Sequence, residues 1–217
     1  LPLIWFGVIG FGVFMYVLLD GFVLGIGILS GFAHGESERD IMMNSVAPIW
    51  DGNETWLVLG GVGLLAAFPP AYTVLLPALY LPLSAMLIAL IFRGVAFEFR
   101  FKANRPRGWN MAFHLGSIVA TFCQGVTLGS IVQGINADGA QYVGGAFDWL
   151  SGFTLLTGCA LVAGYALLGA TWVVLKTTGG LQQKAYGWSR MLLTSVIVFM
   201  ALVSLYVPFL DGDYAER

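Results

Sequence analysis

Six long apolar stretches separated by shorter polar ones organise this chain. The first covers residues 3–32 and is interrupted by one charge, Asp20. Residues 33–53 are polar and carry His34, Glu36, Glu38, Arg39, Asp40 and Asn44. The second apolar stretch, about 53–68, is short and ends at Pro69-Pro70, because proline cannot continue a helix. The third, 72–97, contains Pro77 and Pro82, where kinks are expected. The fourth, fifth and sixth cover about 109–135, 149–175 and 191–210, with a charged loop at 98–107, a Gly-rich loop at 136–148 and a polar loop at 176–190 between them. All but the second reach the ~20 residues needed to cross the hydrocarbon of a bilayer. The pattern predicts an all-α fold, a polytopic transmembrane helical bundle forming one integral membrane domain over 1–217, with no soluble domain.

Composition agrees. Of 217 residues, 58% are hydrophobic and only 10% charged, against about 25% charged in ordinary soluble domains. Glycines lie inside the apolar runs, as in closely packed membrane helices. A net charge of -2 argues against a nucleic-acid partner. Cys123 and Cys159 sit in apolar runs and read as small buried hydrophobes. The first run lacks a basic leader and is too long for a cleavable signal peptide. Lys and Arg set the orientation. Arg39, Arg93, Arg100, Lys102, Arg105, Arg107, Lys176, Lys184 and Arg190 all fall at the ends following stretches one, three and five, with only Arg217 on the opposite side. The positive-inside rule then places those loops on the cytoplasmic side and both ends of the chain outside.

The polar density at Trp50-Asp51-Gly52-Asn53-Glu54-Thr55-Trp56 is unusual at a membrane boundary and needs capping partners or a function. Asp51 with Glu54 three residues later resembles a capping box for the second span, which makes Glu54 a structural cap. Trp50 and Trp56 suit an interfacial belt. Asp20 lies roughly 25 Å along a helix from Leu3, in the cytoplasmic half of the membrane. It is either a proton-handling acid or a neutral carboxyl hydrogen-bonded to a neighbouring helix. Arg93 is deep enough to snorkel or pair with an acid, Arg100 reads as a surface anchor, and Glu98 is near enough to the same surface to join Asp51. His34 and His114 share no ligand spacing, so neither haem nor metal is expected on this chain.

The segments LLDGFVLGIGIL (18–29), MMNSVAPIWDGNETWLV (42–58), LIFRGVAFEFRFK (90–102), TLGSIVQGI (127–135) and LLTGCALVAGYALLGATWVVLKT (155–177) resemble, in order and spacing, subunit II of the cytochrome bd-type quinol oxidases, on the cyanide-insensitive branch. The resemblance covers essentially the whole chain, and APIWDGNETW is its most specific part. It implies an eight-helix subunit of which six spans are seen here, an N-terminal portion. It also implies a haem-bearing subunit I as partner, carrying two b-type haems and one d-type (or b-type) haem, with quinol as substrate, oxygen reduced to water and protons drawn from the cytoplasm. By the same resemblance Asp20 and Asp51 match acids of the proton path, Trp56 a tryptophan near the oxygen route, and Trp50 and Asn53 belong to the shared motif. Some members carry a second acid where this chain has Val23, which suggests that Asp20 serves alone, beside water or a partner-subunit group. A proton-coupled secondary transporter would also suit an acid in span one, but it predicts inverted repeats and none is visible. A purely structural membrane scaffold is the third reading.

Overall fold

A computed structural model describes residues 1–210; Arg217, the one cation on the opposite side in the charge argument, lies outside them. Eight α-helices account for most of the described residues: α1 (Pro2–Ser30), α2 (Glu36–Val46), α3 (Trp50–Ala67), α4 (Pro69–Ala78), α5 (Tyr80–Arg100), α6 (Arg107–Gln133), α7 (Gly152–Lys176) and α8 (Gly180–Tyr206). A two-stranded antiparallel hairpin, β1 (Ala137–Asp138) and β2 (Gln141–Tyr142), joins α6 to α7. Five of the helices (α1, α5, α6, α7 and α8 with its terminal turn) are long and apolar enough to cross a membrane. The chain is an all-α polytopic bundle, as the apolar pattern predicts.

The bundle centres on α1, α6 and α7, with α5 packed on α6, α8 on α7, and α3 on α1. Close approach depends on glycine. A Cβ on Gly25 would stand 1.9 Å from the Tyr165 carbonyl oxygen, and one on Gly169 would stand 2.4 Å from the Gly25 carbonyl carbon. The backbones of α1 and α7 therefore touch, as small residues allow between membrane helices. Around this contact Val23, Leu24 and Ile26 of α1, Phe113 and Ala120 of α6, and Tyr165, Ala166 and Ala170 of α7 are buried. Side chains on the first half of α1 and along α8 are mostly exposed, the condition of surfaces that face lipid or another chain.

Three local features differ from the sequence expectation. The polar segment after the first span contains an amphipathic helix, α2, which buries Met42, Met43 and Val46 beneath the end of the bundle. The third span is two helices that meet at Leu79 (φ −110°, ψ 14°). The two prolines near it produce one break, with Pro77 in the last turn of α4 and Pro82 in the first turn of α5, where a missing N–H is tolerated. The last helix starts at Gly180, not near residue 191. Its polar first turns, which carry Gln182, Gln183 and Lys184, extend the helix beyond the apolar layer after a tight turn at Gly179 (φ 71°).

Candidate functional site

The WDGNETW stretch opens α3 as helix, so its residues separate by helical phase. Residues 50, 53, 54 and 57 turn toward the bundle, and 51, 55 and 58 turn away. Asn53 is buried, and its Nδ2 donates to the Leu19 carbonyl of α1 at 3.0 Å. Trp50 packs against Phe97 of α5, with ring centroids 5.1 Å apart, and the Arg93 guanidinium lies 5.8 Å from its ring centre. Trp56 meets Phe11 edge-on at 5.9 Å on the exposed half of α1. Asp51 is exposed. The expected capping box is not formed. The N-cap is Ile49, without a side-chain cap, because the helix starts one residue before Asp51 and leaves that acid inside the first turn. Glu54 therefore is not the cap it was expected to be. Its Oε1 accepts from Arg93 Nη2 at 3.2 Å.

That contact leads to the buried centre of the molecule. Arg93, from α5, and Asp20, from α1, are both fully buried, and Arg93 Nη2 lies 3.0 Å from each Asp20 oxygen. Arg93 sits seven residues from the end of α5, about 10 Å into the bundle. An isolated charge at that depth costs several kcal/mol, so each member makes the other tolerable. Asp20 does not stand alone as the sequence suggested. Val23 replaces the second acid of some family members, and the group beside Asp20 is a cation of the same chain. Sequence reading did not join the two because they lie 73 positions apart.

One nitrogen of Arg93 serves all three carboxylate oxygens. Nη2 carries two hydrogens, and Asp20 Oδ1, Asp20 Oδ2 and Glu54 Oε1 all lie within 3.2 Å of it. Nε and Nη1 of the same guanidinium are buried and have no partner among the described residues. Glu54 is the outer member, with 36% of its side chain exposed. On the inner side a polar chain continues. Tyr16 stands one helical turn before Asp20, Gln124 Nε2 donates to the Tyr16 hydroxyl at 2.7 Å, and the Tyr165 hydroxyl donates to Gln124 Oε1 at 3.0 Å.

A second cluster lies at the bundle end. Arg100, expected to be a surface anchor, is buried and donates through Nε to Asn110, through Nη1 to Asp40 and through Nη2 to Glu36, at 2.9 Å for the last. Arg39 reaches the Ser30 and Ala33 carbonyls, Lys184 pairs with Glu38, and Trp172 Nε1 donates to Ser45. Together these contacts fasten α2 to five other elements or their ends. Asn110 chiefly, with Arg39 and Arg100, holds the Glu36 carboxyl below the usual carboxylate range, and Lys184 does the same for Glu38. Glu98 is exposed and apart from both clusters. His34 is exposed beside Glu38, and His114 faces the Gly27 carbonyl through Nδ1 at 3.2 Å.

The fold and this buried ion pair define a multi-pass helical membrane subunit. Residues 1–215 match the family described as cytochrome bd terminal oxidase subunit II, and the chain belongs to that family. It is 33% identical over 222 residues to cytochrome bd-I ubiquinol oxidase subunit 2 of Escherichia coli (strain K12), covering 98% of this chain and 59% of that protein. It is 30% identical over 206 residues to cytochrome bd ubiquinol oxidase subunit 2 of Bacillus subtilis (strain 168), covering 93% and 60% respectively. The chain thus spans about three fifths of the length of these curated relatives.

Proposed function

We propose that this chain belongs to the non-haem subunit of a bd-type quinol oxidase and lines its proton access from the cytoplasm. In this reading the complex oxidises quinol and reduces oxygen to water. The haems, two b-type and one d-type or b-type, are carried by the partner subunit I, and this chain supports assembly. The end of the bundle that carries Arg39, Arg100 and Lys184 faces the cytoplasm by the positive-inside rule. Asp51 stands at the mouth, Glu54 one turn in, and Asp20 with Arg93 inside. Glu98 belongs to the same surface. Trp50 and Asn53 hold the start of α3 against α5 and α1, while Trp56, which by resemblance matches a tryptophan near the oxygen route, packs against Phe11 on the exposed half of α1.

The observation that carries this reading is the buried Asp20–Arg93 pair, joined through the guanidinium to a half-exposed carboxylate at one end of the bundle. A scaffold needs no ionisable group at that depth, since an apolar pair would pack at lower cost. The unpartnered Nε and Nη1 of Arg93 suit an additional acceptor, either water or a group of the partner subunit.

The test is Asp20→Asn and Asp51→Asn in the assembled oxidase, with haem content and oxygen uptake measured together. Slowed oxygen uptake at full haem content is the expected outcome. Normal uptake at full haem content in both variants would remove the proton-access role, and loss of haem would assign the residues to assembly.

A further inference from the structure

We propose that Glu54, and not the more deeply buried Asp20, is the carboxylate of the shared-arginine site that binds and releases a proton. The inference rests on the proton-access reading above and names the member of the site that titrates.

The first ground is charge. One guanidinium faces two carboxylates across the same nitrogen, so the fully ionised site carries one net negative charge inside an apolar bundle. Two carboxylates this close do not both hold their charge easily, and the pair takes up a proton more readily than either acid alone.

The second ground is the difference between the two acids. Asp20 receives Arg93 on both oxygens, and Tyr16 stands one helical turn before it on α1. Gln124 donates to the Tyr16 hydroxyl and the Tyr165 hydroxyl donates to Gln124, so a polar chain from α1, α6 and α7 stands on the inner side of Asp20. Both Asp20 oxygens are tied to the counter-charge, and the group is fully buried. Gln124 is an amide, which keeps its hydrogens, so this inner chain orients Asp20 and does not conduct. Glu54 has one contact, a single oxygen 3.2 Å from Arg93, and is 36% exposed. The charged groups that face it are Asp20 from α1, Asp51 from its own helix and Arg93 from α5. Both acids repel its negative charge, and the arginine is already committed to both oxygens of Asp20.

The step is simple. A proton from the Asp51 side binds a Glu54 oxygen, the Glu54–Arg93 contact is released, and Arg93 remains on Asp20 with the site neutral. Loss of that proton to an acceptor outside this chain, a water or a group of the partner subunit beside Arg93, restores the contact. Glu54 lies between the exposed Asp51 and the buried pair, as such an intermediate must.

The test uses the assembled complex in membranes and follows the infrared absorption of protonated carboxyl groups as a function of pH, with oxygen uptake recorded on the same samples. A carboxyl band that titrates in the unaltered complex should vanish in Glu54→Gln, persist in Asp20→Asn and persist in shifted form in Glu54→Asp. In Asp20→Asn the band should move to lower pH by roughly a unit or more, because Glu54 then has Arg93 to itself. Oxygen uptake in Glu54→Gln should fall roughly tenfold or more, with a changed pH profile, while Glu54→Asp restores much of it. A band that survives Glu54→Gln and disappears in Asp20→Asn would overturn the proposal, as would no titrating band in the unaltered complex. Correct band behaviour with unchanged oxygen uptake in every variant would leave the assignment to Glu54 standing and remove the proton-access reading.

Discussion

Arg93 and Arg100 lie seven residues apart on one face of α5, and each is shared by two carboxylates, yet their surroundings oppose each other. Arg100 spreads its donors. Nε, Nη1 and Nη2 each have a separate partner, and Glu36 and Asp40 are 46% and 48% exposed. Arg93 crowds three oxygens onto Nη2 and leaves Nε and Nη1 without partners among the described residues, at zero exposure. The first arrangement is what a fastening needs: every guanidinium nitrogen has a partner, and the acids are exposed enough for water to relieve their charge. The second is over-supplied with acid on one nitrogen and under-supplied on the others, which is the imbalance the proposed protonation of Glu54 would relieve. Two turns of one helix separate a fixed joint from the site proposed to exchange a proton.

The comparison predicts unequal losses. Arg93→Leu leaves Asp20 buried without a counter-charge, which should cost about 3–5 kcal/mol. Thermal denaturation of the purified complex should show it, and a double variant with Asp20→Asn should recover much of the loss. If the single variant melts like the unaltered protein, the buried pair does not hold α1 to α5. Arg100→Leu should cost less, about 1–3 kcal/mol, because its acids can turn to water. Its effect should be confined to α2, read as faster hydrogen exchange over 36–46 with haem content and oxygen uptake retained. Asn110→Ala removes one acceptor for Arg100 and the donor to Glu36, and about 1 kcal/mol is expected in the same assay.

Acid should separate the two ends last and most gently. Glu36 and Glu38 have lowered folded pKa values, so their contribution is complete above the ordinary glutamate pKa of about 4.3 and is lost as pH falls through the lower folded value. Hydrogen-exchange protection of α2 should hold from neutral pH to about pH 5 and decline below about pH 4. High salt should weaken the half-exposed Lys184–Glu38 pair and leave Arg93–Asp20 unaffected. A parallel decline of both ends in salt would erase the distinction between them.

Much of the architecture was legible in the residue pattern. The long helices follow from apolar runs that have to satisfy their own backbone in lipid. What was misread was local and has identifiable causes. Helix α2 is short and carries four acidic or basic groups among its first five residues, so its buried Met42, Met43 and Val46 were hidden within a polar segment. The polar start of α8 resembled a loop because hydropathy marks where a helix meets lipid, not where it begins. Around the site, Asp20, Arg93 and the WDGNETW stretch stood out singly by their cost. The roles of Glu54 and Arg100 did not, because a carboxylate near a helix start reads as a cap and an arginine near a helix end reads as an anchor.

The sequence by itself determined an all-α membrane bundle, its family and the few polar residues that cannot be explained by packing. Hydrophobic periodicity and charge asymmetry are local properties, and a bilayer enforces them strongly. Only the tertiary structure decided which acid meets which arginine. That choice depends on the phase at which α3 begins, on the contact of Gly25 with Gly169 that sets α1 against α7, and on the approach of α5 across 73 positions of chain. A one-residue change in the start of α3 would turn Asp51 and Glu54 about 100° around the helix. No local pattern carries that angle, which is why the acid that shares Arg93 became visible only once the helices were assembled.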